Sequence, residues 1–206
     1  MRLSASDRAN SSKALFSRVM LLNAASVHQF RTTGVCAMTL KAFSIVDLVA
    51  ALDLEPHLEG GYYRRTYQSD DQSMVITTGG LRYRMTSIYY LLTKDSPVGH
   101  FHLNQSDIVH YYHLGDAIEY SLIFPDGTLK TVLMGSDVIA GECLQLKVPG
   151  GVWKASRLVE GSAGFGLISE AVSPGFDYAD MELGDREKLS ERFPEYSRLI
   201  ERLTRG

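Results

Sequence analysis

From Tyr62 to Val172 the chain is broken every few residues by turn signals, and this cadence constrains the fold more than any single motif. The runs between turns are short, rich in Tyr, Thr, Ile and Val, and several alternate polar with apolar residues. Arg84 to Leu92 is dense in Tyr, Thr and Ile; Val98–Leu103 and Asp107–His113 follow, then the turn Leu114-Gly-Asp116. In Ala117–Phe124, Glu119 and Ser121 alternate with Ile118, Tyr120 and Leu122. Pro125-Asp-Gly127 is a hairpin signal, and Thr128–Met134 returns along it. Leu144–Val148, Val152–Leu158 and Gly164–Val172 complete the series. Strands at this spacing predict an antiparallel, all-β sandwich or barrel.

Helices are expected only at the margins. Ser44 with Asp47 reads as a helix start, Ile45, Val46, Leu48, Val49 and Leu52 form an apolar face, and Pro56 closes it. Two further helices are predicted at Asp185–Arg192 and Glu195–Leu203, interrupted by Pro194. With 206 residues, 45% of them hydrophobic, the chain suffices for one domain, assigned to 41–206. Residues 1–40 are basic and rich in Ser and Ala; they resemble a mitochondrial transit peptide or, equally, a disordered extension ahead of Met38. A net charge of −3 gives no basis for nucleic acid as a partner, and no apolar run approaches the length of a membrane span. Cys36 and Cys143 form no pattern, so a reducing, cytoplasmic setting is the default, with mitochondria the alternative if the basic segment is a transit peptide.

The densest chemistry lies between Val98 and Asp116, which holds four of the six histidines. His100 and His102 are one residue apart, so a regular strand would project both from one face. His110 and Tyr112 share a face of the next run. Imidazoles converging from adjacent strands suit a metal site or an acid–base site.

These residues also carry a resemblance. His100-Phe-His102, Asp107 and Gly115, then Gly141 and Pro149-Gly-Gly151, resemble the two motifs of the cupin superfamily of jelly-roll proteins. Pro56-His-Leu-Glu-Gly-Gly-Tyr62, Arg64-Arg-Thr-Tyr67, Pro149-Gly-Gly-Val-Trp153 and Pro174-Gly-Phe-Asp177 are similar, in that order, to the branch of unknown function called Cupin_5, over roughly Phe43 to Leu203. The resemblance implies an all-β cupin-type jelly-roll barrel with an N-terminal helix and C-terminal helices, usually a homodimer, enclosing a small-molecule pocket. It also implies a metal held by two histidines and a carboxylate of the first motif and a histidine of the second. Here that last position holds Lys154, and strand alternation turns Asp107 away if His110 faces inward.

A metal-independent site is therefore expected, with no cofactor. The alternative is Zn, Mn or Fe on His100, His102 and His110, serving a hydrolase or oxygenase. By analogy with metal-free cupin epimerases, His102 or His110 is cast as base and Tyr112 as acid. Lys154 and Arg64 are cast as anion holders, and Tyr62, Trp153 and Glu59 as further substrate contacts. Tyr112 and Trp153 serve equally as barrel packing, and Glu59 as support for the Gly-Gly turn. The function expected is an epimerase or isomerase acting on a polar or anionic, sugar-like or nucleotide-linked molecule. The alternative is a binding or sensing module without turnover.

Overall fold

The computed structural model describes residues 44–205, so the expectations for residues 1–40 lie outside it. Helix α1 (Ile45–Ala51) starts where Ser44 Oγ accepts the Asp47 amide at 3.1 Å. Thirteen strands follow among the described residues. One sheet has six, in the order β1 (Glu55–Pro56), β2 (Tyr62–Gln68), β5 (Thr86–Thr93), β12 (Phe165–Ser173), β7 (Asp107–Gly115) and β10 (Gln145–Val148). The other has five, in the order β13 (Met181–Leu183), β6 (Val98–Asn104), β11 (Trp153–Leu158), β8 (Ile118–Ile123) and β9 (Leu129–Met134). Every strand pairing in both sheets is antiparallel.

The chain crosses from one sheet to the other at β5–β6, β6–β7 and β7–β8, and again at β9–β10, β10–β11, β11–β12 and β12–β13. Two such winding halves make a jelly roll. A hairpin of β3 (Val75–Thr77) and β4 (Gly80–Arg82) stands apart from both sheets and was not foreseen, nor was the short β13.

Three apolar clusters fix the layers. Tyr90, Leu92, Ile118, Tyr120, Leu122 and Ile168 belong to the cluster between the sheets. On the outer face of the five-stranded sheet, Phe101, Ile123 and Trp153 pack against α2 (Arg186–Arg192) and α3 (Ser197–Leu203) through Leu189, Ile200 and Leu203. On the outer face of the six-stranded sheet, Leu91, Phe165 and Leu167 meet α1 and Tyr62. Strand alternation thus divides the buried apolar residues of the roll between the interior and two outer cores.

Candidate functional site

A cavity of about 340 Å³ opens between the sheets at one end of the roll. His57, Glu59, His102, Asn104 and Glu170 form its buried part, while Tyr63, Arg65, Phe176 and Tyr178 stand at the more exposed rim. Glu59 arrives on the turn between β1 and β2. Gly60 in that turn has φ +102°, and a Cβ there would lie 2.1 Å from the Val98 carbonyl oxygen. Only glycine lets this turn lie against β6. The His100 amide donates to Glu59 O at 2.6 Å and the Tyr90 hydroxyl to Gly60 O at 2.9 Å, clamping the turn from two strands.

Two carboxyl groups at this site differ in their proton affinity. Glu59 Oε2 lies 3.2 Å from His102 Nε2 and 3.6 Å from His57 Nδ1, and burial pushes its pKa up to about 8. Glu170 is also buried, which alone would raise it. The nearby Lys154, then His110, outweigh burial and hold it well below the usual carboxylate range. Near neutral pH Glu59 is a carboxylic acid and Glu170 a carboxylate. Lys154 Nζ sits 3.6 Å from Glu170 Oε2 and 3.3 Å from His110 Nε2. His110 Nδ1 lies 3.1 Å from Glu170 Oε1, although its ring nitrogen does not point squarely at the oxygen.

The imidazoles are neutral and their tautomers follow from their neighbours. His102 Nδ1 donates to His100 O at 2.8 Å, which leaves a lone pair on Nε2 facing Glu59. His57 Nδ1 accepts the Glu59 amide at 3.2 Å, so its proton is on Nε2. Burial is the main cause that lowers all three: His57 to about 4, His102 well below its ordinary value, and His110 in the same direction.

Of the residues singled out from sequence, the fold brings His102, His110, Lys154 and Glu59 together. It separates the others. β11 runs against β6 with Lys154 opposite His102 and Ser156 opposite Gly99. Three positions of β6 therefore span two of β11, and this bulge spoils the alternation that would have put His100 beside His102. His100 sits near the Leu203 backbone, with Arg205 and Arg186 nearby. Trp153, one residue from Lys154, faces α2 and α3. Tyr62 faces α1, and Arg64 is exposed, 3.6 Å from Asp53. Their neighbours Tyr63 and Arg65 line the cavity instead. Tyr112 is two residues beyond His110, outside the cavity lining, and its hydroxyl donates to Gly115 O at 2.5 Å. Asp107 points outward to Lys147 at 2.8 Å, and Ile108 points in.

The metal set implied by the cupin resemblance does not fit these residues. Among the described residues no three His, Cys, Asp or Glu side chains are arranged to hold an ion. His110 and Glu170 share the Lys154 ammonium, which occupies the place a cation would need and offers no lone pair.

His57 and Glu170 were missed as site residues. His57 was visible only within a turn motif. Glu170 left a signal: it is an acid in phase with Ile168 and Val172 on the inward face of an otherwise apolar strand.

Two antiparallel sheets that exchange strands around a polar cavity define a jelly-roll barrel of the cupin kind. The chain belongs to the Cupin superfamily (DUF985), whose family profile matches residues 46–184. It is 42% identical over 149 residues to the uncharacterized protein YML079W of Saccharomyces cerevisiae, covering 66% of this chain and 73% of that one. A hypothetical protein from Leishmania major superposes with a TM-score of 0.75 at 34% identity, covering 80% of this chain and 100% of that chain. Protein SO0799 from Shewanella oneidensis gives 0.72 at 35% identity, covering 80% and 99%. No helix among the described residues is long and apolar enough to cross a membrane.

Proposed function

We propose that this protein is a small-molecule enzyme of isomerase type that moves a proton between neighbouring carbons of a carbonyl substrate without a metal ion. The observation that carries the proposal is the contact of a buried Glu59 carboxyl, 3.2 Å away, with the lone-pair nitrogen of His102 on the cavity wall. Among the described residues His102 Nε2 has no hydrogen-bond partner, so its lone pair is free to take a proton from a carbon next to a carbonyl, with the Glu59 carboxyl beside it to pass the proton on. His57, neutral and protonated on Nε2, donates a hydrogen bond to the oxygen where charge develops. Lys154 and Glu170 form an ion pair behind, keeping a second carboxylate from competing for the proton. Return of the proton to the adjacent carbon from the same couple, while His57 Nε2 gives its proton to the carbonyl oxygen and regains one from the neighbouring hydroxyl, completes the isomerisation with no net gain or loss.

A couple on one side favours isomerisation over epimerisation. Epimerisation needs an acid on the opposite face, and Tyr112, cast in that role from sequence, lies outside the cavity lining.

The test is deuterium incorporation. Neutral aldoses and their ketose isomers are incubated with the protein in D₂O, and exchange next to the carbonyl is followed by NMR. Glu59→Gln is expected to slow exchange by about 100-fold or more, the usual range for a general acid–base group. Exchange at the wild-type rate in Glu59→Gln would remove Glu59 from the chemistry. A sugar that binds the wild type yet never exchanges would make the protein a binding module.

A further inference from the structure

The polar groups around the cavity are unequally engaged, and the imbalance bears on what it holds. Its two cations are held differently, Lys154 by a carboxylate and Arg65 by neutral acceptors. Arg65, at the rim, donates through Nη1 to Gln68 Oε1 at 2.9 Å and through Nη2 to Phe176 O at 3.4 Å. Lys154, behind the wall, faces His110 and Glu170. Exposed Glu55 and Asp177 also line the opening, so a bound anion would meet carboxylates on the way in.

By contrast, the Asn104 amide is only 7% exposed and lines the cavity, and among the described residues its side chain makes no hydrogen bond, with Oδ1 wholly buried. An unpaired buried amide is costly, and a ligand that both donates and accepts would satisfy it. Glu170 presents a carboxylate that accepts hydrogen bonds, and Glu59 a carboxylic acid that can donate. Across the rim, the rings of Phe176 and Tyr178 meet edge to face at 5.1 Å, and the Tyr178 hydroxyl lies 3.4 Å from that of Tyr63. Such a rim offers flat apolar faces beside polar tips.

We infer that the cavity takes a neutral, polyhydroxylated molecule of about one sugar ring, its hydroxyls paired with Asn104 and Glu170 and its apolar face set against Tyr63 and Tyr178. This rests on the acid–base reading of the same cavity and specifies its substrate class. Hydroxyl groups donate and accept at once, which matches an amide beside a carboxylate. A phosphate, a carboxylate or a nucleoside diphosphate brings charge that Lys154, already paired with Glu170, does not offset and that Glu55, Asp177 and Glu170 oppose, with Arg65 the one cation among the lining residues set against them. Size agrees, because about 340 Å³ is near the lower end of the ~300–1,000 Å³ of small-molecule sites and leaves little room for an attached nucleotide. The preference departs from the anionic, nucleotide-linked ligand that the sequence suggested.

Binding tests this separately from turnover. Titration calorimetry on the full chain uses glucose, mannose, galactose, xylose and arabinose. It compares them with glucose, mannose and galactose 6-phosphates, with glucuronate and galacturonate, and with glucosamine. Saturable binding of at least one neutral sugar, tenfold or more tighter than its charged counterpart, is expected. Asn104→Ala should weaken it about tenfold. Tyr178→Ala, at a position 49% exposed and so safe for folding, should weaken it several-fold with the melting temperature unchanged.

A phosphate, uronate or glucosamine binding as tightly as the neutral sugars overturns the inference, as does the absence of binding by every neutral sugar. The two readings fail differently. Exchange on a charged sugar would sink this one and spare the acid–base chemistry, whereas neutral-sugar binding without exchange would do the reverse.

Discussion

Lys154 shows how one side chain decides the chemistry of a whole site. It is 3% exposed, and the Glu170 carboxylate it accompanies is only 12% exposed, so neither charge can rely on water. Removing one partner of a buried pair costs about 3–5 kcal/mol, because the other charge is stranded. Lys154→Met should therefore lower unfolding free energy in urea by about 3 kcal/mol or more. Lys154→Met combined with Glu170→Gln, which strands nothing, should recover much of that loss. A double variant no more stable than the single one would mean that the pair is not what holds Glu170 ionised. Lys154 and the paired histidines His102 and His110 were legible in the sequence because unlike residues recur at fixed positions among apolar strands. Glu170 was not, since a lone acid in a strand more often faces water.

Among elements, the turn between β1 and β2 and the bulge in β6 govern what the strands deliver. Gly60 combines a positive φ with a Cβ position inside the van der Waals envelope of Val98 O. A side chain there adds backbone strain to overpacking, each worth about 1–3 kcal/mol. Gly60→Ala is expected to destabilise the protein by about 3 kcal/mol or more in chemical denaturation and to displace Glu59 from His102. A stable, active Gly60→Ala would show that the turn can move off β6 without consequence. Strand identities and turns were readable from period and Gly/Pro punctuation, but the facing of individual side chains was not. Tyr62 and Arg64 each miss the cavity by one residue, and Trp153 misses the inner face that Lys154 occupies, since a shift of one turns a side chain to the other face. No residue type in His100-Phe-His102 announces the bulge that sends His100 elsewhere.

For the molecule as a whole, the buried acids and imidazoles make stability depend on pH in two opposed ways. From about pH 4 to 6.5 the unfolded chain binds a proton at His57 that the folded chain refuses, so stability rises with pH. From 4.5 to about 8 the folded chain retains a proton on Glu59 that the unfolded chain releases, so stability falls with pH. Above 6.5 only the second effect operates. Buried His102 and His110, whose affinity for a proton is lowered as well, add to the rise below 6.5, so the melting temperature should pass a maximum near pH 6.5 and decline toward pH 8, and Glu59→Gln should flatten the decline. A decline of equal steepness in Glu59→Gln would assign it to another group. The same wholeness has a further consequence at β6, where neighbours Phe101 and His102 belong to different compartments, one wedged under α2 and α3, the other forming the cavity wall. The strand is a partition with a tenant on each side. Chemistry in one room cannot be retuned by sequence drift without the helices in the other feeling it, so new specificities in this lineage should arise at the rim around Tyr178, which stands exposed on a turn outside both sheets.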